Sequence, residues 1–451
     1  MGTGLGHFIP LVAYLGFWVM CVVSLTGRPI YGLYYILPFL PYRTMRDHFD
    51  AYPLSSNTVT ILLICILIGA MIKGKRPPAS RLYLTWVLFA VYLYFSLWIG
   101  TALGHAPPPI WTGDANFTAW KDYMMLPLLV LAGGMVVQER KQVRTVIAIV
   151  AISLALVDRS ALLESLTHSW AVFDESKRTS GPLEYGPNQL AAFLAQFGMF
   201  FWGCAVVLKR YKVKIAFYVL TALTMVTTLY AFSRAAYIAV LVAVAVLALV
   251  KDRKLIVVLV LFLFTWQAFV PAAVTERMSM TRDESGQLDQ SAQERIDLWA
   301  QSKDLFLSSP IVGQGFATFQ YGEHAANLKD THNYFVKVLV ETGIVGGIFF
   351  LVLLIQMLAL CWRVFRKTRH PDSDPLYHAL GLGALLMTVS CIVANLFGDR
   401  WTYIEINGLL WVLMAVVLRV DALVEATPID QGERNFDLLT SSSAGKRLVN
   451  V

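Results

Sequence analysis

The chain has 451 residues, of which 57% are hydrophobic and only 15% are charged, whereas an ordinary soluble domain is about a quarter charged. This composition excludes a soluble globular protein and indicates a polytopic membrane protein. The formal net charge of +7 is spread over short clusters between hydrophobic runs, a pattern that reports membrane orientation and not nucleic-acid binding.

Hydrophobic runs set the number of predicted helices, because a bilayer core needs about 20 apolar residues per helix. Such runs start near residues 7, 58, 82, 120, 145, 188, 214, 234, 255, 334, 379 and 403. We therefore predict an all-α membrane protein of about 12 transmembrane helices, nine within residues 1–270 and three within 334–421. The short run near 29–41 is predicted to be re-entrant or interfacial, because counting it as a span would put the basic loops on opposite sides.

Orientation follows from five basic clusters, which all fall on one side when twelve spans are counted. The clusters begin at Lys73, Arg140, Lys209, Lys251 and Arg363. By the positive-inside rule this side is cytoplasmic, so both termini are predicted to be cytoplasmic, with residues 422–451 a disordered tail. Residues 271–333 then form one large extracytoplasmic loop. The five cysteines lie in apolar runs without CxxC spacing, so no disulfide, metal site or cofactor is predicted.

An amphipathic helix is predicted inside the 271–333 loop. Ser291 and Glu294 have the spacing of a capping box, and Ile296, Trp299 and Leu307 follow helical spacing, which is typical of a helix on the membrane surface. Arg295 lies one turn before Trp299, although a solvated surface charge fits its spacing equally well. The following turn, with Gly313 and Gly315, lacks the GK[ST] of a nucleotide-binding P-loop.

Two candidate residues lie next to predicted membrane helices. His332 precedes a helix whose first turn has unpaired amide groups and positive partial charge, and a neutral imidazole there could act as a general base. Capping of that helix is the alternative role for His332, and Asn333 is a possible secondary site residue. Arg234 lies between two hydrophobic runs, where a charge is costly and usually faces a polar cavity, unless its side chain snorkels toward the headgroups.

A fourth candidate, Arg178, precedes an extracytoplasmic stretch of turn-forming residues. Lys177 is the alternative phosphate contact, Glu184 is a competing carboxylate base, and Asn188 fits a helix cap as well as a ligand contact. One guanidinium group can donate two parallel hydrogen bonds to phosphate oxygens. Arg178, Arg234 and Arg295 are therefore suited to bind a lipid-linked pyrophosphate. Outside the cytoplasm there is no pool of nucleotide sugars, which favours a donor already activated on a membrane lipid.

These motifs, followed by Glu341, Gly343 and Gly346, resemble those of the bacterial O-antigen ligase and O-antigen polymerase superfamily. The resemblance implies a GT-C-type fold with a periplasmic loop in the bacterial inner membrane. It also implies an inverting, metal-independent glycosyltransferase that uses an undecaprenyl pyrophosphate-linked glycan. In this interpretation His332 is the general base and Arg178, Arg234 and Arg295 bind the pyrophosphate.

The acceptor stays open at this stage. A ligase would transfer the glycan to a lipid A core or a similar lipid or glycan acceptor, whereas a polymerase would join lipid-linked repeat units. A transporter of lipid-linked oligosaccharides would also place arginines in a cavity, but transporters tend to have internal repeats, and none is visible in this chain.

Overall fold

A computed structural model describes residues 8–111, 113–167, 172–280, 290–322 and 330–426. Within these ranges the chain forms helices and no strand, which confirms the all-α prediction. The helices are α1 (Ile9–Leu25), α2 (Pro29–Ile36), α3 (Arg43–Asp47), α4 (Thr58–Ile72), α5 (Arg81–Ala102), α6 (Ala115–Val136), α7 (Arg140–Ser165), α8 (Pro187–Val207), α9 (Tyr211–Tyr230), α10 (Arg234–Val250), α11 (Lys254–Thr265), α12 (Ala272–Ser279), α13 (Gln290–Ser308), α14 (Thr318–Tyr321), α15 (Tyr334–Lys367), α16 (Pro375–Asn395) and α17 (Ile404–Ala426).

Each predicted hydrophobic run coincides with one of these helices. Six of them, α5, α7, α8, α9, α15 and α16, are long and apolar enough to cross a membrane. The bent pair formed by α11 with α12 raises this number to seven, and α1, α4 and α10 are shorter apolar helices. The protein therefore has several membrane-spanning helices, whereas twelve crossings stay a prediction.

The centre of the bundle is formed by α8, α16 and α17, which bury residues on most of their surface. A helix that is apolar all round is typical of such a position. Small residues allow close approach: a Cβ atom on Gly203 of α8 would lie 2.9 Å from the Cα atom of Gly383 in α16. By contrast α11 buries none of its residues, which fits contact with lipid.

Two predicted boundaries are tested by the helix ends. The run near 29–41 contains α2 and a 3-10 turn, Leu37–Phe39, with Leu33 and Ile36 fully buried; its re-entrant character stays a prediction. The predicted end of the last helix at residue 421 is wrong, because α17 continues to Ala426. Its extra turn carries Glu425, whose carboxylate accepts from the Lys367 ammonium at 2.5 Å. Residues 427–451 lie outside the described ranges.

Helix α15 is broken at Gly343, whose φ of 64° and ψ of −168° are not helical. The segment after α13 fills the break and takes up the backbone groups that the broken helix leaves unpaired. Gln314 N donates to Val340 O at 2.9 Å, and Ile344 N donates to Pro310 O at 2.9 Å. The Gly-rich turn, residues 310–315, therefore holds the two halves of α15 together, and we call it the clamp on α15. The clamp also fixes the position of α14, which follows it in the chain.

The predicted apolar residues of α13 lie on its exposed side, so contact of this side with the membrane surface stays a prediction. Ile296, Trp299 and Leu307 are exposed, whereas Leu298 and Ser302 are buried. Leu298 belongs to a cluster with Phe319 and Val340, so the buried stripe of α13 faces α14 and the first half of α15. Ser291 is already inside the described helix, so it is not the cap that the sequence predicts.

Candidate functional site

The His332 imidazole is oriented by a neighbouring carboxylate. Its Nδ1 lies 3.2 Å from Asp330 Oδ1, and the His332 backbone N–H donates to the same oxygen at 2.6 Å. His332 has a φ of +51°, which is uncommon for a residue other than glycine, and 39% of its side chain is exposed. With Nδ1–H directed to Asp330, the lone pair of Nε2 is available to accept a proton.

The helix after His332 begins at Tyr334, and Asn333 is its cap. The Asn333 side-chain oxygen accepts from Phe335 N at 3.0 Å and from Val336 N at 3.3 Å. Capping is therefore the observed use of Asn333, and His332 lies just outside the helix. The cap fixes the point where the loop ends and α15 begins, so the imidazole lies next to the N-terminus of α15.

Arg295 is brought to the His332 segment by its helix. Trp299, one turn further along α13, donates its Nε1–H to Thr331 O at 2.9 Å. Because Thr331 immediately precedes His332, this bond ties the helix of Arg295 to the candidate base. The prediction that Arg295 and Trp299 lie on one side of a helix agrees with α13, and Arg295 is half-buried.

Arg178 is buried and held by protein groups. Its Nε and Nη2 donate to Ala231 O at 3.2 and 3.1 Å, Nη1 donates to Glu175 Oε1 at 2.7 Å, and Nη2 also donates to Asn188 Oδ1 at 2.7 Å. Asn188 is therefore not a helix cap: α8 begins at Pro187 with Gly186 as its N-cap. Arg178 joins the start of α8 to the turn after α9.

That turn carries Arg234, which is half-buried and is the first residue of α10. Arg178 binds Ala231 three residues earlier, so the structure connects these two predicted residues through one turn. The other two candidates lie elsewhere. Lys177 forms a surface ion pair with Asp174 at 3.3 Å. Glu184 is exposed, and its pKa is raised because Asp47 shares a hydrogen bond with it.

Arg400 is a further basic residue near this site, and it was not predicted from the sequence. It is 3% exposed, and its Nη1 donates to Ala394 O at 2.5 Å near the end of α16. Burial lowers the pKa of the Arg400 guanidinium to about 10, while Asp330 opposes this shift and Arg295 and Arg178 add to it. Arg400 therefore lies within electrostatic reach of three of the site residues. Its position beside Asp399, in a polar stretch between two apolar runs, is the only signal in the sequence.

A buried ion pair adjoins the same loop. Lys337, one turn into α15, donates to Asp399, whose side chain is 1% exposed. Burial raises the pKa of the Asp399 carboxyl, and the Lys337 ammonium opposes the shift. Removing one partner would leave a buried charge uncompensated, which is strongly destabilising. The pair therefore holds the 399–400 loop against α15.

A partly open cavity of about 600 Å³ lies beside the ion pair. It is lined by aromatic residues and by charges from distant parts of the chain, among them Arg46, Tyr185, Tyr321, Lys337, Asp399 and Glu405. Its lining includes Tyr334, two residues after His332, but none of the three predicted arginines. This cavity could not be predicted from the sequence, because its walls come from seven separate segments of the chain.

Part of the chain matches a known protein family. Residues 216–351 match the model of the Wzy_C family, described as O-Antigen ligase. This part of the chain is similar to the O-antigen ligase family. The resemblance inferred from the motifs is thereby confirmed, and the matched segment contains Arg234, Arg295, His332 and the Gly343 break, whereas Arg178 and Arg400 lie outside it. No curated protein matches the chain.

Proposed function

We propose that the protein is a membrane glycosyltransferase that moves a glycan from undecaprenyl pyrophosphate to an acceptor hydroxyl on the periplasmic side, as an O-antigen ligase. The observation that carries the proposal is the Asp330–His332 pair, tied to the Arg295 helix inside the family segment. A general base oriented by a carboxylate, beside cations suited to a pyrophosphate, is the minimum that this reaction needs.

In the proposed reaction His332 Nε2 accepts the proton of the acceptor hydroxyl while its oxygen attacks the anomeric carbon. The bond from that carbon to the pyrophosphate oxygen breaks, and attack from the opposite face inverts the configuration. Arg234 and Arg295 stabilise the charge that develops on the leaving pyrophosphate. Arg178, whose guanidinium is bonded to Ala231, Glu175 and Asn188, holds the turn that carries Arg234.

The proposed orientation places this chemistry opposite the basic cytoplasmic loops. The residues of the site come from the 172–187 stretch, the turn before α10, the 271–333 segment and the 396–403 loop, all of which the loop charges assign to the extracytoplasmic side. A GT-C-type architecture, with membrane helices that carry a loop-covered site at one face, fits this arrangement.

The proposal is tested by reconstitution in liposomes with an undecaprenyl pyrophosphate-linked glycan, candidate acceptors and EDTA. We expect transfer that EDTA does not reduce. A lipid A core product identifies a ligase, whereas lengthened lipid-linked chains identify a polymerase. If no acceptor receives the glycan, including a second donor molecule, the glycosyltransferase assignment is contradicted. If EDTA abolishes transfer, a metal-independent reaction is contradicted.

The bond between α13 and the His332 segment leads to a prediction for Trp299→Phe. This change keeps a ring but removes the donor to Thr331 O, and a typical net hydrogen bond is worth about 0.5–1.5 kcal/mol. We expect transfer to fall roughly 2- to 12-fold, with faster amide exchange in residues 331–335. Trp362→Phe is the matched control, since its ring is 39% exposed against 40% for Trp299. An equal rate for both variants would show that the bond does not position the base.

A further inference from the structure

The cavity of about 600 Å³ begins close to His332 in the chain, at Tyr334 and Lys337, two and five residues after it. Its size falls within the roughly 300–1,000 Å³ typical of small-molecule sites. Residues 316–321 form one wall. The clamp on α15 fixes this wall, because Gly315 N donates to Glu341 O at 2.9 Å and Phe319 N donates to Glu341 Oε1 at 3.3 Å.

The charges that line the cavity balance one another. Three cations, Arg43, Arg46 and Lys337, face three acids, Asp122, Asp399 and Glu405. Arg46 pairs with Glu405 and Lys337 pairs with Asp399 inside the wall. Arg43 lies 3.5 Å from Asp47, just outside it. A polyanionic ligand would therefore meet carboxylates and already paired cations, which gives it no electrostatic advantage.

The polar and aromatic lining suits a sugar. Tyr185, Tyr321 and Tyr403 line the cavity, and each has an apolar ring and a hydroxyl group. The rings of Tyr185 and Tyr403 pack against each other with centroids 4.6 Å apart, and the guanidinium of Arg43 lies 4.3 Å from the Tyr185 ring centroid. Gln320 and Thr402 also line the cavity, and their side chains both donate and accept hydrogen bonds. A pyranose has C–H faces for the rings and a rim of hydroxyl groups for such partners.

The 399–400 loop connects the cavity with two of the predicted arginines. Asp399 lines the cavity and pairs with Lys337, whereas its neighbour Arg400 feels the charges of Arg295 and Arg178. Asp330, the partner of His332, acts on both Asp399 and Arg400. The carboxylate beside the candidate base therefore lies near both residues of this loop.

We propose that this cavity is the acceptor subsite and that the sugar residue it holds carries no net charge. The inference rests on the proposed glycosyl transfer but names a property that the transfer itself does not require. It implies that a neutral sugar of the acceptor, and not a phosphorylated one, occupies the space beside His332.

Photocrosslinking identifies the occupant directly. Tyr321, which lines the cavity and is 39% exposed, is replaced by p-benzoyl-phenylalanine in the full chain carrying His332→Ala, in membranes of the producing bacterium. The control is the same replacement of Tyr211, an exposed residue outside the cavity. We expect an adduct at position 321 whose crosslinked sugar residue, identified by mass spectrometry after digestion, is neutral and unphosphorylated, and no adduct at position 211. A crosslink to a phosphorylated or acidic sugar residue, a crosslink to polyprenyl pyrophosphate or no adduct at 321 would overturn the proposal.

A kinetic measurement separates acceptor from donor binding. We expect Tyr321→Ala to raise the KM for acceptor on the order of tenfold, because this factor corresponds to the free energy of one aromatic contact. The KM for donor should stay unchanged. Tyr321→Phe should recover most of the loss. A rise in the donor KM instead would overturn the assignment. If the wild-type protein transfers nothing but the neutral glycan adduct forms, the proposed function fails while saccharide binding stands.

Discussion

His332→Ala is expected to reduce glycan transfer by about 10²- to 10⁴-fold, the usual contribution of a positioned general base. The loss should appear in kcat, because the imidazole acts on the hydroxyl proton during attack and not on the bound donor. Donor binding, followed by equilibrium filtration of the labelled lipid-linked glycan, should be unchanged. The loop should stay folded, since the cap of α15 comes from Asn333 and not from His332.

The chain contains a matched control for this variant. His370 lies 3.0 Å from Asp372 through Nδ1, two residues apart as in the Asp330–His332 pair, and 45% of its side chain is exposed. It lies beyond the opposite end of α15, so His370→Ala should leave transfer unchanged. Full activity of His332→Ala, with His370→Ala also active, would remove the general base from the mechanism.

Asp330→Asn tests how the base is oriented. An asparagine oxygen can keep the bond from the His332 backbone N–H, which is 2.6 Å long, while the negative charge beside the imidazole is lost. We expect a smaller loss of transfer than for His332→Ala, and a further substitution of His332 in this background should add less than it does alone. Additive losses would show that the two residues act independently.

Gly343→Ala is expected to have the largest effect on stability, roughly 2–6 kcal/mol. At φ 64° and ψ −168° a residue other than glycine costs about 1–3 kcal/mol. An added Cβ atom would also lie 2.2 Å from Ile311 O and 2.4 Å from Ile311 C, and overpacking of this kind costs about 1–3 kcal/mol more. The apparent melting temperature in detergent measures the loss.

Gly74→Ala separates strain from collision. Gly74 also has a φ of +64°, but nothing lies within 4 Å of a Cβ atom there, so only the backbone penalty applies. We expect a clearly smaller fall in melting temperature than for Gly343→Ala. Equal falls would mean that the clamp yields to the added methyl group. Because the same clamp fixes the 316–321 wall, Gly343→Ala should also lower transfer in the protein that stays folded.

Local sequence was a good guide to the helices and to part of the site. The apolar run after residue 334 predicts α15, and the exposed polar context of His332 marks it as a candidate base. It was a poor guide to how side chains are used. Arg178, predicted to bind pyrophosphate, and Asn188, predicted to be either a helix cap or a ligand contact, bind each other at 2.7 Å. The Gly-rich turn, which the sequence shows only to lack a nucleotide-binding motif, clamps a helix. Such pairings depend on where distant segments meet.

Hydropathy by itself determined that this is an all-helical membrane protein and where its apolar helices lie. The residue motifs by themselves determined its resemblance to O-antigen ligases. Both are properties of contiguous residues, so neither depends on how the chain folds. Only the tertiary structure decided that Asp330 orients His332, that Arg400 joins the arginines, that α15 breaks around another segment and that a charge-balanced cavity adjoins the base. Each depends on contacts between residues far apart in sequence, and their geometry is set by packing.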